Sequence, residues 1–411
     1  MSEHIERIDV VVVGAGLAGL AAARLLQRGG LRVAVLDPSD PGGRGRTDER
    51  AGYLWNRGPH ALYLDGAADR VLRTLDVRWR GAAPGALHFS DAGIVGLGPA
   101  GVATLLRSPF LGWRGRAALA GVLTKLPRID AASLAGTTLH DWMSTFRLPA
   151  DAHRVFSAIT RVSTYTNAPA VTAADMVVAQ LQQTLGAGVR YLDGGWQVLV
   201  DQLAKDVDVR PIAATGVRRD GADVVVTAGQ TQFVARAAVV AVADPAAAAT
   251  LLERPPFDVG PAAEAACLDL GLDRTPTVPV LLGLDEPLYL SDHGSAAHLA
   301  PDGRTVVHVA RYLAPGEQHD HHATRRQLEA HAGLAGIGDD AVVESRYLHR
   351  MTVVGAIAAA EHGGLPGRPR SSGVQGVAIA GDWVGPEGHL LDASMASADA
   401  AAAEVLRWTA R

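Results

Sequence analysis

Residues 8–37, IDVVVVGAGLAGLAAARLLQRGGLRVAVLD, decide the fold. Ile8–Val13 is an apolar run bearing one acid, the pattern of a buried parallel strand. Leu17–Gln27 is rich in Ala and Leu and is predicted to be a helix, stopped by Gly29 and Gly30. Leu31–Leu36 alternates into a second strand that ends at Asp37. Strand, helix and strand make one βαβ unit of about thirty residues. Gly14-Ala15-Gly16-Leu17-Ala18-Gly19 fits G-x-G-x-x-G at the turn between strand and helix. Gly14 permits the tight turn, Gly16 lets a pyrophosphate approach the backbone, and Gly19 lets the helix pack closely on the strand. The helix N-terminus adds free N–H groups and a partial positive charge. Asp37, about twenty residues on, is placed to bond ribose hydroxyls. Gly96-Leu97-Gly98-Pro99-Ala100-Gly101 also fits the pattern, but no βαβ unit surrounds it, so it is read as a decoy.

The 411 residues suggest two domains. A hydrophobic fraction of 48% and a charged fraction of 20% are ordinary for a globular protein with a large core. The net charge of −5 offers nucleic acid no electrostatic footprint, and none is expected as a partner. The single cysteine, Cys267, excludes an internal disulfide and fits a reducing compartment. The start, Met1 to Arg7, carries charges where a signal peptide needs an apolar run, so the expected location is the cytoplasm. No stretch has the length and apolarity of a membrane span. Residues 97–124 are apolar with Arg punctuation, and read either as a buried helix pair or as a flap meeting a membrane surface or an apolar substrate.

Further along, residues 66–80 and 100–185 are expected to be mainly helical. Val207–Arg219 and Asp223–Val226 are expected to form a small antiparallel element. Phe233–Val242 and Val377–Ala380 are predicted strands, and Ala246–Leu252 and Ser394–Trp408 predicted helices.

The βαβ unit alone does not choose between NAD and FAD. Gly42-Gly43-Arg44-Gly45-Arg46-Thr47, followed by Gly58-Pro59-His60, resembles the G-G-R-x-x-T and downstream glycine elements of the superfamily of flavin-containing amine oxidases, phytoene desaturases and protoporphyrinogen oxidases. The resemblance continues through Tyr191-Leu192-Asp193-Gly194-Gly195-Trp196, Thr215-Gly216-Val217 and Val239–Val242. It is most specific in Ala380-Gly381-Asp382-Trp383 and Gly388-His389-Leu390-Leu391-Asp392-Ala393-Ser394. It implies an α/β fold in which a Rossmann-like FAD-binding domain of the GR2 type is interleaved with an α+β substrate domain. The FAD-binding domain would comprise residues 1–80, 186–250 and 366–411, with a mainly helical substrate part at 81–185 and a mixed sheet at 251–365.

It further implies non-covalent FAD, because the cysteine that tethers flavin in some amine oxidases has no counterpart just before the last block. The residues implied to hold FAD are Gly14, Gly16, Leu17, Ala18 and Gly19 in the phosphate loop, Asp37 and Pro38, and Gly43 and Arg44. They continue with Gly58, Pro59 and His60 along the isoalloxazine, Val217 at the adenine, Gly381 and Asp382, and Leu391 and Asp392 at the start of the last helix. Asp392 is also a candidate N-cap. No catalytic base and no metal ligand are named. His319-Asp320-His321-His322 reads as a solvated surface run rather than a metal cluster, and His60 as a packing residue rather than a proton carrier.

The choice of substrate is less constrained. Amine oxidases of the superfamily usually carry a late lysine near the flavin, whereas this chain has none after Lys205. Leu390 and Leu391 are aliphatic, and aromatic residues make up 5% of the chain, which is a poor source of cages for a cationic amine. Pro287-Leu288-Tyr289 with Ala300-Pro301-Asp302-Gly303 resembles elements of carotenoid desaturases. The expectation is removal of hydride from a C–H bond of a small, apolar, isoprenoid-like substrate. An amine or porphyrinogen oxidase on the same scaffold, and a flavin-binding scaffold protein without turnover, are the alternatives.

Overall fold

The computed structural model describes residues 4–99 and 101–410. Ala100 of the decoy motif and residues 1–3 of the N-terminal reading therefore lie outside the described residues. The first strand, His4–Val13, pairs in parallel with Val33–Leu36 on one side and with Thr231–Val240 on the other. Val10–Val13 are almost wholly buried, as a strand covered on both faces must be. Asp208–Arg210 extends the sheet beside Val33–Leu36, and Val377–Ile379 joins Thr231–Val240, both in parallel. Ala214–Asp220 and Asp223–Ala228 complete the sheet as an antiparallel pair at its other edge. The expected antiparallel element is thus corrected at its start: Asp208–Arg210 pairs with the Rossmann strand, where its alternating apolar residue meets a ready parallel edge.

The helix Leu17–Arg28 packs Leu20, Ala21, Ala22, Ala23 and Leu26 into a core shared with the closing helix Leu391–Thr409. Small side chains let the helix lie close to the sheet. An ideal Cβ at Gly19 would fall 1.9 Å from the Gly14 carbonyl oxygen, which is why a glycine stands there.

A second sheet of seven strands runs Val342–Val354, Ala263–Leu272, Thr305–Leu313, Leu288–Asp292, Val280–Gly283, Leu87–Asp91 and Ile94–Leu97. Side chains alternate across it with the period of two that strands impose. Leu268, Leu270, Val307 and Val309 face the helix His321–Leu334. Cys267, Tyr289, Ala310 and Tyr312 face the helical layer that includes Ala150–Thr164 and Ala174–Gly186. The decoy motif begins in the hairpin strand Ile94–Leu97, which supports no phosphate turn.

Candidate functional site

The parallel strands end at one crevice, at Gly14, Asp37, Ala241 and Gly381. This is where open α/β sheets bind ligands. The Gly14 N–H bonds the Leu36 carbonyl at 2.8 Å, and the Gly42 N–H bonds the Ala15 carbonyl at 2.7 Å, so two loops form one rim. Gly14 has φ +105 and carries the turn. A Cβ on Gly16 would meet nothing within 4 Å, so its backbone faces open space in the cavity. The Leu17–Arg28 helix has no acid in its first turn to compete with an anion for the N-terminal N–H groups. Asp37 is held in place by the N–H of Ala15 at 2.8 Å and of Ser39 at 2.9 Å, and each oxygen keeps a lone pair for a sugar hydroxyl.

Deeper in the cavity, Arg44 Nη1 lies 2.9 Å from Asp382 Oδ2 and donates to the Val353 carbonyl at 2.9 Å. Two residues expected to act on separate parts of the cofactor are therefore an ion pair. The Gly355 N–H also donates to Asp382 Oδ2, at 3.1 Å. The buried Arg368 stands behind, donating to the main-chain carbonyls of Asp382 at 3.1 Å and Gly388 at 2.7 Å. Burial pulls the Arg368 guanidinium down to about 10, so it stays charged at neutral pH. Asp382 Oδ1 and Trp196 Nε1 are buried without a protein partner, one an acceptor and the other a donor. An open glycine cradle, a free helix N-terminus and an aspartate held at the second strand end fit a dinucleotide.

Of the residues named from sequence, Gly14, Gly16, Leu17, Ala18, Asp37, Gly43, Arg44, Pro59, His60, Gly381, Asp382 and Leu391 line the cavity. Gly19 and Gly58 do not. Gly19 packs the helix on its strand, and Gly58, at φ +90, leaves room for Met351 Cε, which would lie 2.3 Å from a Cβ there. Pro38 is exposed just outside. The Val217 side chain is buried in the core beneath the sheet with Val224, Phe233 and Phe257, because its position in Ala214–Asp220 turns it inward, so contact with an adenine would be by its backbone. One placement is a correction. The Asp392 carboxylate turns away from the cavity. It accepts from the Ala68 N–H at 2.6 Å, in the first turn of the helix Ala67–Thr74, and from Gln183 Nε2 of the helix Ala174–Gly186 at 2.8 Å. Leu390, at φ 54, is the N-cap of the closing helix, so Asp392 lies inside that helix and serves a neighbouring one.

The far end of the cavity is formed by Pro59, His60, Ala61, Tyr165, Trp196, Met351 and Leu390. His60 Nδ1 is 2.7 Å from the Gly58 carbonyl and Nε2 is 3.1 Å from the Arg44 carbonyl, so both nitrogens face acceptors. The ring edges onto Trp196 at 4.4 Å, and with a single N–H in its neutral form it donates to one of these carbonyls at a time. Burial pulls it down to about 4, so it is neutral at pH 7. His389 Nε2 donates to the Thr164 carbonyl at 2.8 Å and joins the last block to the helix Ala150–Thr164.

Sequence reasoning missed what lies behind Tyr165. Its ring is 5.8 Å from Tyr289 and 5.9 Å from Tyr312. Beside them, His308 Nδ1 is 2.5 Å from Asp269 Oδ1, and Arg346 Nη2 is 2.6 Å from Asp269 Oδ2. His293 stacks on Tyr191 at 3.6 Å. Cys267, Asp269 and His308 hold their ligating atoms within 4.8 Å of one another, but the guanidinium on Asp269 already neutralises that carboxylate. The signal was present as alternation: Tyr289 and Ser291, His308 and Ala310, and Cys267 and Asp269 lie on one face of adjacent strands. A bulk aromatic fraction cannot reveal such clustering. The His319–His322 run is a helix start, with Asp320 capping Ala323 and His319 bonded to Thr324.

A family profile described as NAD(P)-binding Rossmann-like domain matches residues 12–76. The chain is 30% identical over 270 residues to the putative flavin-containing monoamine oxidase AofH of Mycobacterium tuberculosis, covering 57% of each. It therefore spans little more than half the length of that curated relative. Over 56 residues it is 54% identical to the phytoene dehydrogenase of Streptomyces griseus, covering 13% of this chain and 11% of that one. The cyclohexylamine oxidase of Brevibacterium oxydans superposes with a TM-score of 0.74 at 17% identity, over 98% of this chain and 100% of that one. At that identity the likeness is one of fold.

Proposed function

We propose that the chain is a flavin-dependent oxidoreductase of the kind that takes in amine oxidases and phytoene desaturases, that it holds FAD without a covalent tether, and that it oxidises a C–H bond of a neutral, largely apolar substrate. Bound in the crevice, FAD would supply a two-electron acceptor for hydride. The protein's part is binding, orientation and electrostatics. Gly16 and the helix start at Leu17 would receive the pyrophosphate, and Asp37 the ribose. Arg44 and Asp382, whose charges offset each other, would hold the cofactor deeper in the cavity. The N-terminus of the closing helix, at Leu390 and Leu391, turns its partial positive charge into the cavity, where negative charge on the cofactor is favoured. The apolar wall excludes water from the reacting bond.

One observation carries the substrate reading. Among the described residues, the carboxylates lining the cavity are Asp37 and Asp382, both at the dinucleotide end, so the described lining has no further acid to pair with a substrate ammonium. Burial of apolar area at about 25 cal/mol per Å² would then supply affinity. A second reading, oxidation of an amine, is favoured by the Tyr165 ring on the cavity lining, an aromatic surface that suits a cation, and by the relative AofH.

Purified protein should be yellow and release free FAD on acid precipitation. A colourless chain that cannot be reconstituted with FAD would overturn the proposal at its root. Anaerobic mixing with polyenes, porphyrinogens and small primary or secondary amines, followed by flavin bleaching, separates the two substrate readings. Bleaching by a small amine and by none of the apolar candidates reverses their order.

A further inference from the structure

From residue 92 to residue 129 the chain contains no acidic residue, yet it holds Arg107, Arg114, Arg116, Lys125 and Arg128. In a protein of net charge −5 this is a concentrated positive stretch. The same stretch gathers apolar side chains on the outside. Of the nine large hydrophobic residues that stand exposed among the described residues, five lie here: Ile94, Leu97, Val102, Leu106 and Trp113. Val102 is 77% exposed, Leu106 60% and Trp113 74%. Val102 and Leu106 are four apart on the helix Val102–Arg107 and share a face. Trp113 opens the next helix, Trp113–Lys125.

The parts are continuous. The backbone at Gly96 lies against Pro109, which would sit 2.5 Å from a Cβ there, so the hairpin touches the link between the helices. Arg116 Nη2 donates to the Ser108 carbonyl at 3.0 Å and fastens that link. Leu105, Leu111, Leu119 and Val122 anchor the assembly from below in the substrate-domain core. The outward residues are therefore not needed to bury this segment.

Among the described residues, Arg107, Arg114, Lys125 and Arg128 take part in no ion pair. The Arg114 guanidinium lies 5.2 Å from the Trp113 ring centroid. An exposed tryptophan, aliphatic side chains on one face and unpaired cations with long apolar stems form the pattern that settles at a lipid headgroup boundary. No helix among the described residues is long and apolar enough to cross a membrane, so contact would be with the surface.

We propose that the surface formed by Ile94, Leu97, Val102, Leu106 and Trp113, with Arg107 and Arg114 beside them in the chain, docks on an anionic lipid bilayer. The apolar residues enter the headgroup layer and the cations meet lipid phosphates. This inference is independent of which substrate the cavity takes.

The test is co-sedimentation of the full, FAD-loaded chain with vesicles of phosphatidylcholine containing about a third phosphatidylglycerol, and with vesicles of phosphatidylcholine alone. The protein should bind the anionic vesicles preferentially and release as salt rises. Arg107→Glu with Arg114→Glu, and separately Leu106→Ser with Trp113→Ser, should each weaken partitioning about tenfold or more. Retained FAD absorbance would show that both variants are folded, as expected for exposed positions. Failure of the wild type to sediment with anionic vesicles at low salt would overturn the proposal, as would variants that bind like the wild type. A protein that ignores vesicles but forms a dimer lost in Leu106→Ser with Trp113→Ser would assign the surface to a second copy of the chain instead.

Discussion

Gly16 and Gly19 sit three residues apart in one motif, yet the structure gives them unlike tasks, and replacing each by alanine separates cofactor binding from folding. At Gly16, φ is −70 and ψ is 175, a conformation open to any residue, and a Cβ meets nothing within 4 Å. Alanine at this helix N-cap should cost about 0.5–1 kcal/mol in lost capping preference. Reduced freedom of the unfolded chain should offset it by about 0.4–1 kcal/mol. The apo-protein should therefore unfold as the wild type does. The new methyl group instead projects where the pyrophosphate approaches the backbone. Losing one charge-assisted hydrogen bond there costs about 1.5–3 kcal/mol, roughly ten- to a hundredfold in FAD affinity. At Gly19 the added Cβ would lie 1.9 Å from the Gly14 carbonyl oxygen. A backbone carbonyl has no rotamer to escape through, so the helix must lift from its strand. Overpacking of this kind costs about 3 kcal/mol or more, against about 1 kcal/mol regained in helix propensity. Gly19→Ala should thus melt several degrees lower even without FAD. Thermal unfolding of both apo-variants by circular dichroism, with FAD titration by fluorescence quenching, reads the two effects apart. Gly16→Ala binding FAD like the wild type, or melting like Gly19→Ala, would refute this division of labour.

Asp37→Ala and Asp382→Ala should each weaken FAD binding about ten- to a hundredfold with the fold retained; equal affinity in Asp37→Ala would place the ribose elsewhere. Asp392→Ala should leave FAD affinity unchanged and lower the melting temperature, because it strips the Ala68 N–H of its acceptor; a loss of affinity at full stability would return Asp392 to the cofactor site. Burial raises the Asp269 carboxyl, but the His308 charge and hydrogen bond and Arg346 outweigh it and hold the group below its ordinary value. A carboxylate with a depressed folded value contributes stability above its unfolded pKa and loses it as pH falls through the folded one. Asp269→Asn should therefore flatten the fall in melting temperature below about pH 4, and an unchanged acid limb would show that the carboxylate contributes nothing there.

Much of this molecule is local, and local features are readable in order along the chain. The βαβ unit needs only an apolar strand, a small-residue helix, glycines at the turn and an acid at the second strand end, all within residues 8–37. Backbone conformation and short-range packing demand those residues directly, so the phosphate loop and Asp37 were legible, as were Arg44, His60 and Asp382 through blocks of similar local specificity. What could not be read depends on where distant strands fall beside one another. Asp269, His308 and Arg346 become a buried charge cluster only because three antiparallel strands align them in register, and the three tyrosines meet only because a helix end and two strands converge. Asp392 has the sequence of a helix cap, but a free lone pair bonds whichever N–H the tertiary packing brings to it, and that was Ala68. Composition counts residue types; burial, register and the choice of hydrogen-bond partner are set by long-range packing.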